Sequence, residues 1–85
     1  MGVEFDPAKD AANVAKDGVS LARAADFEPM ATIVDRRLDY GETRYRAFGL
    51  LDGFPHCLVF TTKDQDVRAI SLRRAHLKEY RRYVR

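Results

Sequence analysis

The rhythm of apolar and polar positions changes twice along the chain, near Pro29 and again near Ala75. Before Pro29 the pattern is helical. Ala8, Ala11, Ala12 and Ala15 give strong helix propensity. Asp6 offers a capping carboxylate, Pro7 suits the first helical position, and Gly18 suits the left-handed stop. These signals predict a helix over about residues 7–17. Ser20 is a second capping candidate, opening a short helix over about 21–27 with Leu21, Ala24, Ala25 and Phe27 on its apolar side and Pro29 as its end. The short Asp17-Gly18-Val19 link makes the two helices a hairpin-like pair.

After Pro29 the pattern turns to strands. Ala31–Val34 is short and β-branched, and 35–42 reads as a polar loop containing Gly41. Arg44–Leu51, Cys57–Thr62 and Val67–Arg73 are three further strands, joined by Asp52-Gly53 and by Lys63–Asp66. Links this short imply an antiparallel meander. From about Ala75 the helical period returns, with Leu77, Tyr80 and Val84 on one stripe. A sheet of this size needs helices to cover its apolar side chains. The expectation is one α+β domain over residues 1–85, with two N-terminal helices, a three- to four-stranded antiparallel sheet and a C-terminal helix. Strict alternation along the last strand places Val67, Ala69, Ser71 and Arg73 on one face and Arg68, Ile70, Leu72 and Arg74 on the other. Ile70 and Leu72 then form the core pair. Ser71 and Arg73 share their face with the small residues Ala47 and Gly49. Without a bulge, the arginines do not converge from this strand.

Composition narrows the picture. The chain has 85 residues, 46% apolar and 33% charged, which suits one small folded domain. No run approaches the roughly 18–20 apolar residues of a membrane span, and the first residues lack the basic and apolar regions of a secretion signal. The single cysteine, Cys57, excludes an internal disulfide and points to a reducing, cytoplasmic setting. It reads as a small buried hydrophobe, with His56 on the other side of its strand.

The net charge of +2 conceals an asymmetry. Residues 1–42 carry nine acidic against five basic side chains, whereas residues 43–85 carry ten basic against four acidic. Within 68–85, Arg68, Arg73, Arg74, Lys78, Arg81, Arg82 and Arg85 face one acid, Glu79. Arginine's planar fork matches phosphate oxygens and stacks on bases, so this end suits an anionic polymer, above all RNA. A solvated helix face with a basic tail is the plainer alternative.

No glycine-rich phosphate loop and no Cys/His metal spacing occurs, so no cofactor or metal is expected, and His56 and His76 read as ordinary surface residues. RNA cleavage needs neither, because the RNA's own 2′-hydroxyl can attack. Arginine can neutralise the developing phosphorane charge. Glu79 or Tyr83 can take part in proton transfer if their pKa values are shifted. The structural alternatives are a Glu79–Arg82 pair on the helix surface and Tyr83 covering the sheet edge.

Taken in order, these residues resemble the BrnT toxins. Phe5-Asp6-Pro7-Ala8-Lys9, then Asn13, Lys16, Gly18 and Val19, is similar to that family's opening, usually Trp-Asp-x-x-Lys, then Asn, then Lys-His-Gly-Val. Asp35-Arg36, Tyr40-Gly41-Glu42 and Arg44 resemble its middle. Gly49, the run Arg68-x-Ile70-Ser71-x-Arg73-x-Ala75, Glu79 and Tyr83 resemble its end. The resemblance implies a RelE-like fold and a type II ribonuclease toxin that cleaves RNA and inhibits translation. It implies a ribbon-helix-helix antitoxin, BrnA, as partner, with operator DNA bound through that complex. By position it implies Arg68, Ser71, Arg73, Glu79 and Tyr83 as catalytic, with Arg74, Lys78, Arg81 and Arg82 as RNA-backbone contacts. Three residues depart from the pattern: Phe5 for Trp, Asp17 for His, and Ala69 for a larger aliphatic. The Asp17 departure motivates a second hypothesis, a catalytically inactive toxin-like module acting as co-repressor with an antitoxin. A plain nucleic-acid-binding protein is the third.

Overall fold

The computed structural model describes residues 2–85. The Asp6 carboxylate accepts from the Ala8 N–H at 2.8 Å and opens α1 (Pro7–Asp17). Gly18, at φ 73°, closes it by donating its N–H to the Val14 carbonyl. Ser20 caps the next segment through the Ala22 N–H at 3.1 Å, but Leu21–Asp26 winds as a 3-10 helix, tighter than the α-helix expected. The Asp10 carboxylate ties this segment to α1, accepting from Ser20 Oγ at 2.9 Å and from the Leu21 N–H at 2.7 Å.

The sheet has five strands, not three or four: β1 (Val3–Glu4), β2 (Glu28–Asp35), β3 (Arg44–Leu51), β4 (Phe54–Lys63) and β5 (Asp66–Arg74). Their order is β1-β5-β4-β3-β2. β2 to β5 form the expected antiparallel meander, whereas β1 pairs with β5 in parallel. A two-residue strand leaves no alternating pattern to read, so β1 was not legible from the sequence. β2 also begins earlier than expected: Pro29 lies inside it, on the sheet's edge, where a missing N–H is tolerated. Beside it, a Cβ on Gly49 would overlap the Glu28 carbonyl oxygen, so only glycine admits this approach. Asp52 and Gly53, both at positive φ, make the tight β3–β4 turn.

One face of the sheet is apolar. Leu21 and Ala24 of the 3-10 segment, with Phe27 just beyond it, pack there on Ala47, Leu51, Leu58, Ala69 and Leu72. Leu21 and Leu72 are fully buried, each worth roughly 1.5–3 kcal/mol of transfer free energy. His56 is buried on this face too, correcting its reading as a surface residue; its Nδ1 lies 2.8 Å from the Phe54 carbonyl oxygen. The short helix α2 (Leu77–Tyr83) lies on the opposite face, where Tyr83 stacks on the fully buried Phe48 at 4.8 Å.

The upper part of β5 is an edge beyond the reach of β1, and α1 closes it. Asn13 is buried there and pairs with Leu72 as a strand backbone would. Its Nδ2 donates to the Leu72 carbonyl at 2.9 Å, and its Oδ1 accepts the Leu72 N–H at 3.1 Å. This satisfies both edge groups and blocks further strand addition at that point.

Candidate functional site

A register shift in β5 decides what the open face carries. Thr61 pairs with Arg68 and Phe60 with Ala69, but Val59 pairs with Ser71, so Ile70 is the extra residue of a β-bulge. The bulge breaks the expected alternation. Ala69 turns inward and is fully buried, while Ile70, expected in the core, is only half-buried. Arg68, Ser71 and Arg73 all come to one face. Ala47, expected beside Ser71 and Arg73, lies on the opposite face in register with Leu58 and Leu72, and Gly49 sits in register with His56.

Two rows of side chains cross the open face. Arg46, Val59 and Ser71 form one; Phe48, Cys57 and Arg73 form the next. At the usual strand spacing, Arg46 and Ser71 are roughly 10 Å apart at their Cα atoms. Arg73 is fixed by Glu79 of α2 through two hydrogen bonds, Nη1 to Oε1 at 3.0 Å and Nη2 to Oε2 at 3.1 Å. This replaces the Glu79–Arg82 pair considered from helix spacing. The Arg73 hydrogen bonds hold the Glu79 carboxyl below its ordinary pKa, so it is an acceptor and not a proton donor at neutral pH. Burial pushes the Cys57 thiol up, leaving it a neutral part of the floor.

Arg37 enters from the loop after β2. Asp35, with its side chain fully buried, grips it through two hydrogen bonds of 2.8 and 2.7 Å and also accepts from Tyr40 at 3.2 Å. These contacts, the Arg37 hydrogen bonds foremost, hold Asp35 well below the usual carboxylate range.

Two basic hollows flank the Arg73–Glu79 pair. One, of about 400 Å³, runs between α1 and the sheet and is lined by Lys9, Lys16, Asp17, Arg37, Ser71 and Arg73, among others. The other, of about 360 Å³, lies under α2 and is lined by Arg46, His76, Lys78, Glu79, Arg82 and Tyr83. The structure thus brings together Ser71, Arg73, Glu79, Tyr83, Lys78 and Arg82. It leaves Arg68 at the far end of β5, paired with Glu4 at 3.3 Å. Arg74 turns away, its guanidinium 4.5 Å from the Phe54 ring, and Arg81 is exposed outside both hollows. Among the described residues, no three His, Cys, Asp or Glu side chains gather as a metal site would require.

Four cations lining these hollows lie outside the basic C-terminal segment: Lys9, Lys16, Arg37 and Arg46. Lys9, Asn13 and Lys16 recur at helical spacing, a stripe the sequence displays. Arg46 and Phe48 are two apart in a strand, and so share a face. No sequence signal marks Arg37, because a loop has no period.

A family model describing the ribonuclease toxin BrnT of type II toxin–antitoxin systems matches residues 5–79. The chain is similar in structure to the crystal structure of the ribonuclease toxin BrnT of Brucella abortus. That match has a TM-score of 0.66 and 24% sequence identity, and covers 89% of this chain and 97% of that one. The likeness bears on the fold. No curated protein matches.

Proposed function

Because the chain belongs to the family of BrnT ribonuclease toxins of type II toxin–antitoxin systems, we propose that it is a metal-independent endoribonuclease that cuts RNA beside Arg73 and so halts translation. The observation that carries this reading is the Arg73 fork, held by Glu79 next to Ser71 between two basic hollows. The RNA 2′-oxygen attacks the adjacent phosphorus, its proton passing to solvent, and the bond to the 5′-oxygen breaks, leaving a cyclic phosphate and a 5′-hydroxyl once that oxygen takes a proton from Tyr83, which solvent then restores. Arg73 neutralises the charge that grows on the phosphorane oxygens. The Ser71 hydroxyl donates to one of them. Glu79, kept ionised by Arg73, orients the fork. Tyr83, on the α2 side, is the group assigned to proton transfer at the leaving oxygen. Lys78 and Arg82 hold the flanking backbone, and Arg68 and Arg81 serve its outer reaches, whereas Arg74, turned to the other face, is left out of the contact.

A type II toxin family implies an antitoxin. We assign that role to a ribbon-helix-helix protein of the BrnA kind, covering the arginine face of a RelE-like toxin in the cytoplasm and carrying the complex to operator DNA. Expression of the chain alone should arrest growth and degrade mRNA, and co-expression of such a neighbour should relieve both. Normal growth, with RNA left intact by the pure protein, would sink the proposal.

Asp17 favours a second reading, an inactive co-repressor. Its carboxylate lines the same hollow as Arg73, where it opposes a phosphate. Operator binding by the complex, with no toxicity of the free chain, selects this reading. Recovery of toxicity in Asp17→His would assign the defect to that one side chain.

A further inference from the structure

Arg37, Arg44, Arg68 and Arg73 of the open face are each matched by a carboxylate: Asp35, Glu42, Glu4 and Glu79 in turn. Arg46 is not. Its Nε is buried without a hydrogen-bond partner, and none of the ion pairs among the described residues includes it. A buried, charged N–H left unmet is costly, and natural folds keep few of them. The side chain is nonetheless held in a defined place, its guanidinium carbon 5.7 Å from the Tyr83 ring centre and 5.9 Å from that of Phe48. The hollow it lines adds Lys78 and Arg82, and its one carboxylate, Glu79, already satisfies Arg73 with both oxygens. The surplus is therefore positive, and the group that completes it is an anion able to accept from a guanidinium.

We propose that this hollow is a second phosphate subsite for the RNA strand, with Arg46 as its central contact. The inference rests on the ribonuclease reading and extends it. The row Arg46–Val59–Ser71 connects the subsite to the reacting phosphate across three adjacent strands. The bound strand crosses the sheet, with one phosphate at Arg73 and a neighbouring one at Arg46. Arg46 adds no proton-transfer chemistry; it positions the substrate. Tyr83, stacked on Phe48, forms the wall between the contact and solvent.

The experiment uses the full chain and an uncleavable probe, a single-stranded 2′-O-methyl RNA oligonucleotide, whose Kd is measured over a range of salt. Arg46→Met keeps the apolar stem and removes the charge. It should weaken binding about ten-fold or more and reduce the slope of log K against log salt by about 0.7, one phosphate contact on a single strand. Arg46→Lys should restore the slope but not the full affinity, because an ammonium lacks the fork. The thermal midpoint of Arg46→Met should stay close to that of the wild type, since no hydrogen bond or ion pair is lost and the Met stem keeps the contact with the Phe48 and Tyr83 rings. On cleavable RNA, KM should rise more than kcat falls.

Wild-type Kd and salt slope in Arg46→Met overturn the subsite, as does a loss of RNA affinity that follows a drop in thermal midpoint. Weakened binding to a co-expressed antitoxin, with RNA affinity unchanged, assigns Arg46 to a protein carboxylate and overturns it too. If the wild-type chain neither binds nor cleaves RNA, the ribonuclease reading fails and the subsite fails with it. Cleavage by the wild type, with Arg46→Met binding equally well, removes the subsite alone.

Discussion

Across the middle of the sheet, the two faces of the same three strands hold opposite chemistry. Ala47, Leu58 and Leu72 form a row beneath the 3-10 segment, all of them buried. One residue along, Arg46, Val59 and Ser71 form a row that opens on two basic hollows. The apolar face is covered by its own chain, so it yields stability. The arginine face is only partly covered by α2, none of whose residues is buried. Four of its arginines are paired with carboxylates, and Arg46 is left over. On the proposed reading, stability and RNA binding are segregated by strand parity, and a substitution should act on one without the other.

The strongest break in that separation is on the apolar side. Leu72→Ala should cost about 2–5 kcal/mol, as large-to-small changes at fully buried sites do. Urea unfolding should show it as a lower midpoint, with cleavage lost only in proportion to the unfolded fraction. Arg73→Ala is the counterpart. It should reduce RNA cleavage about 100-fold or more while shifting the unfolding midpoint little, because the Arg73–Glu79 pair is partly solvated. Parallel loss of stability and activity in Arg73→Ala would contradict the division of labour.

Asn13→Ala tests the join between the faces. It removes both contacts to the Leu72 backbone and should cost about 1–3 kcal/mol. Faster hydrogen exchange at the Leu72 amide would report it directly. The smallest effect concerns acid. Glu79 and Asp35 are held below their ordinary values of 4.5 and 3.8 by arginine hydrogen bonds. Each therefore stabilises the fold above its unfolded pKa and loses that contribution as pH falls through its lower, folded value. Stability should decline below about pH 4. Asp35→Asn should flatten the decline more than Glu79→Gln, because the Asp35 side chain is fully buried.

Much of this was legible along the chain, and the failures share a cause. Caps and stops were read where a side chain acts on its own backbone, as Asp6, Gly18 and Ser20 do. The strand meander followed from Asp52-Gly53 and the alternating runs on either side. The bulge at Ile70 was not legible, because an extra residue leaves the composition of the strand unchanged and shows only against β4. That single shift moved Ala69 into the core and placed Arg68, Ser71 and Arg73 on one face. The candidate residues are gathered only in part. Ser71, Arg73, Glu79 and Tyr83 stood out in a basic segment, but Arg37, Arg46, Lys9 and Lys16 come from segments that charge counting had set aside.

The sequence by itself determined most of the local elements, the meander, the family and the arginine-rich character of one end, because each depends on residues close together in the chain or on an ordered set of them. The tertiary structure alone decided which face each arginine takes, which of them have carboxylate partners, and that Asn13 closes the edge of β5. Those outcomes depend on register and on contacts between residues up to 64 positions apart, and neither is written in any local pattern.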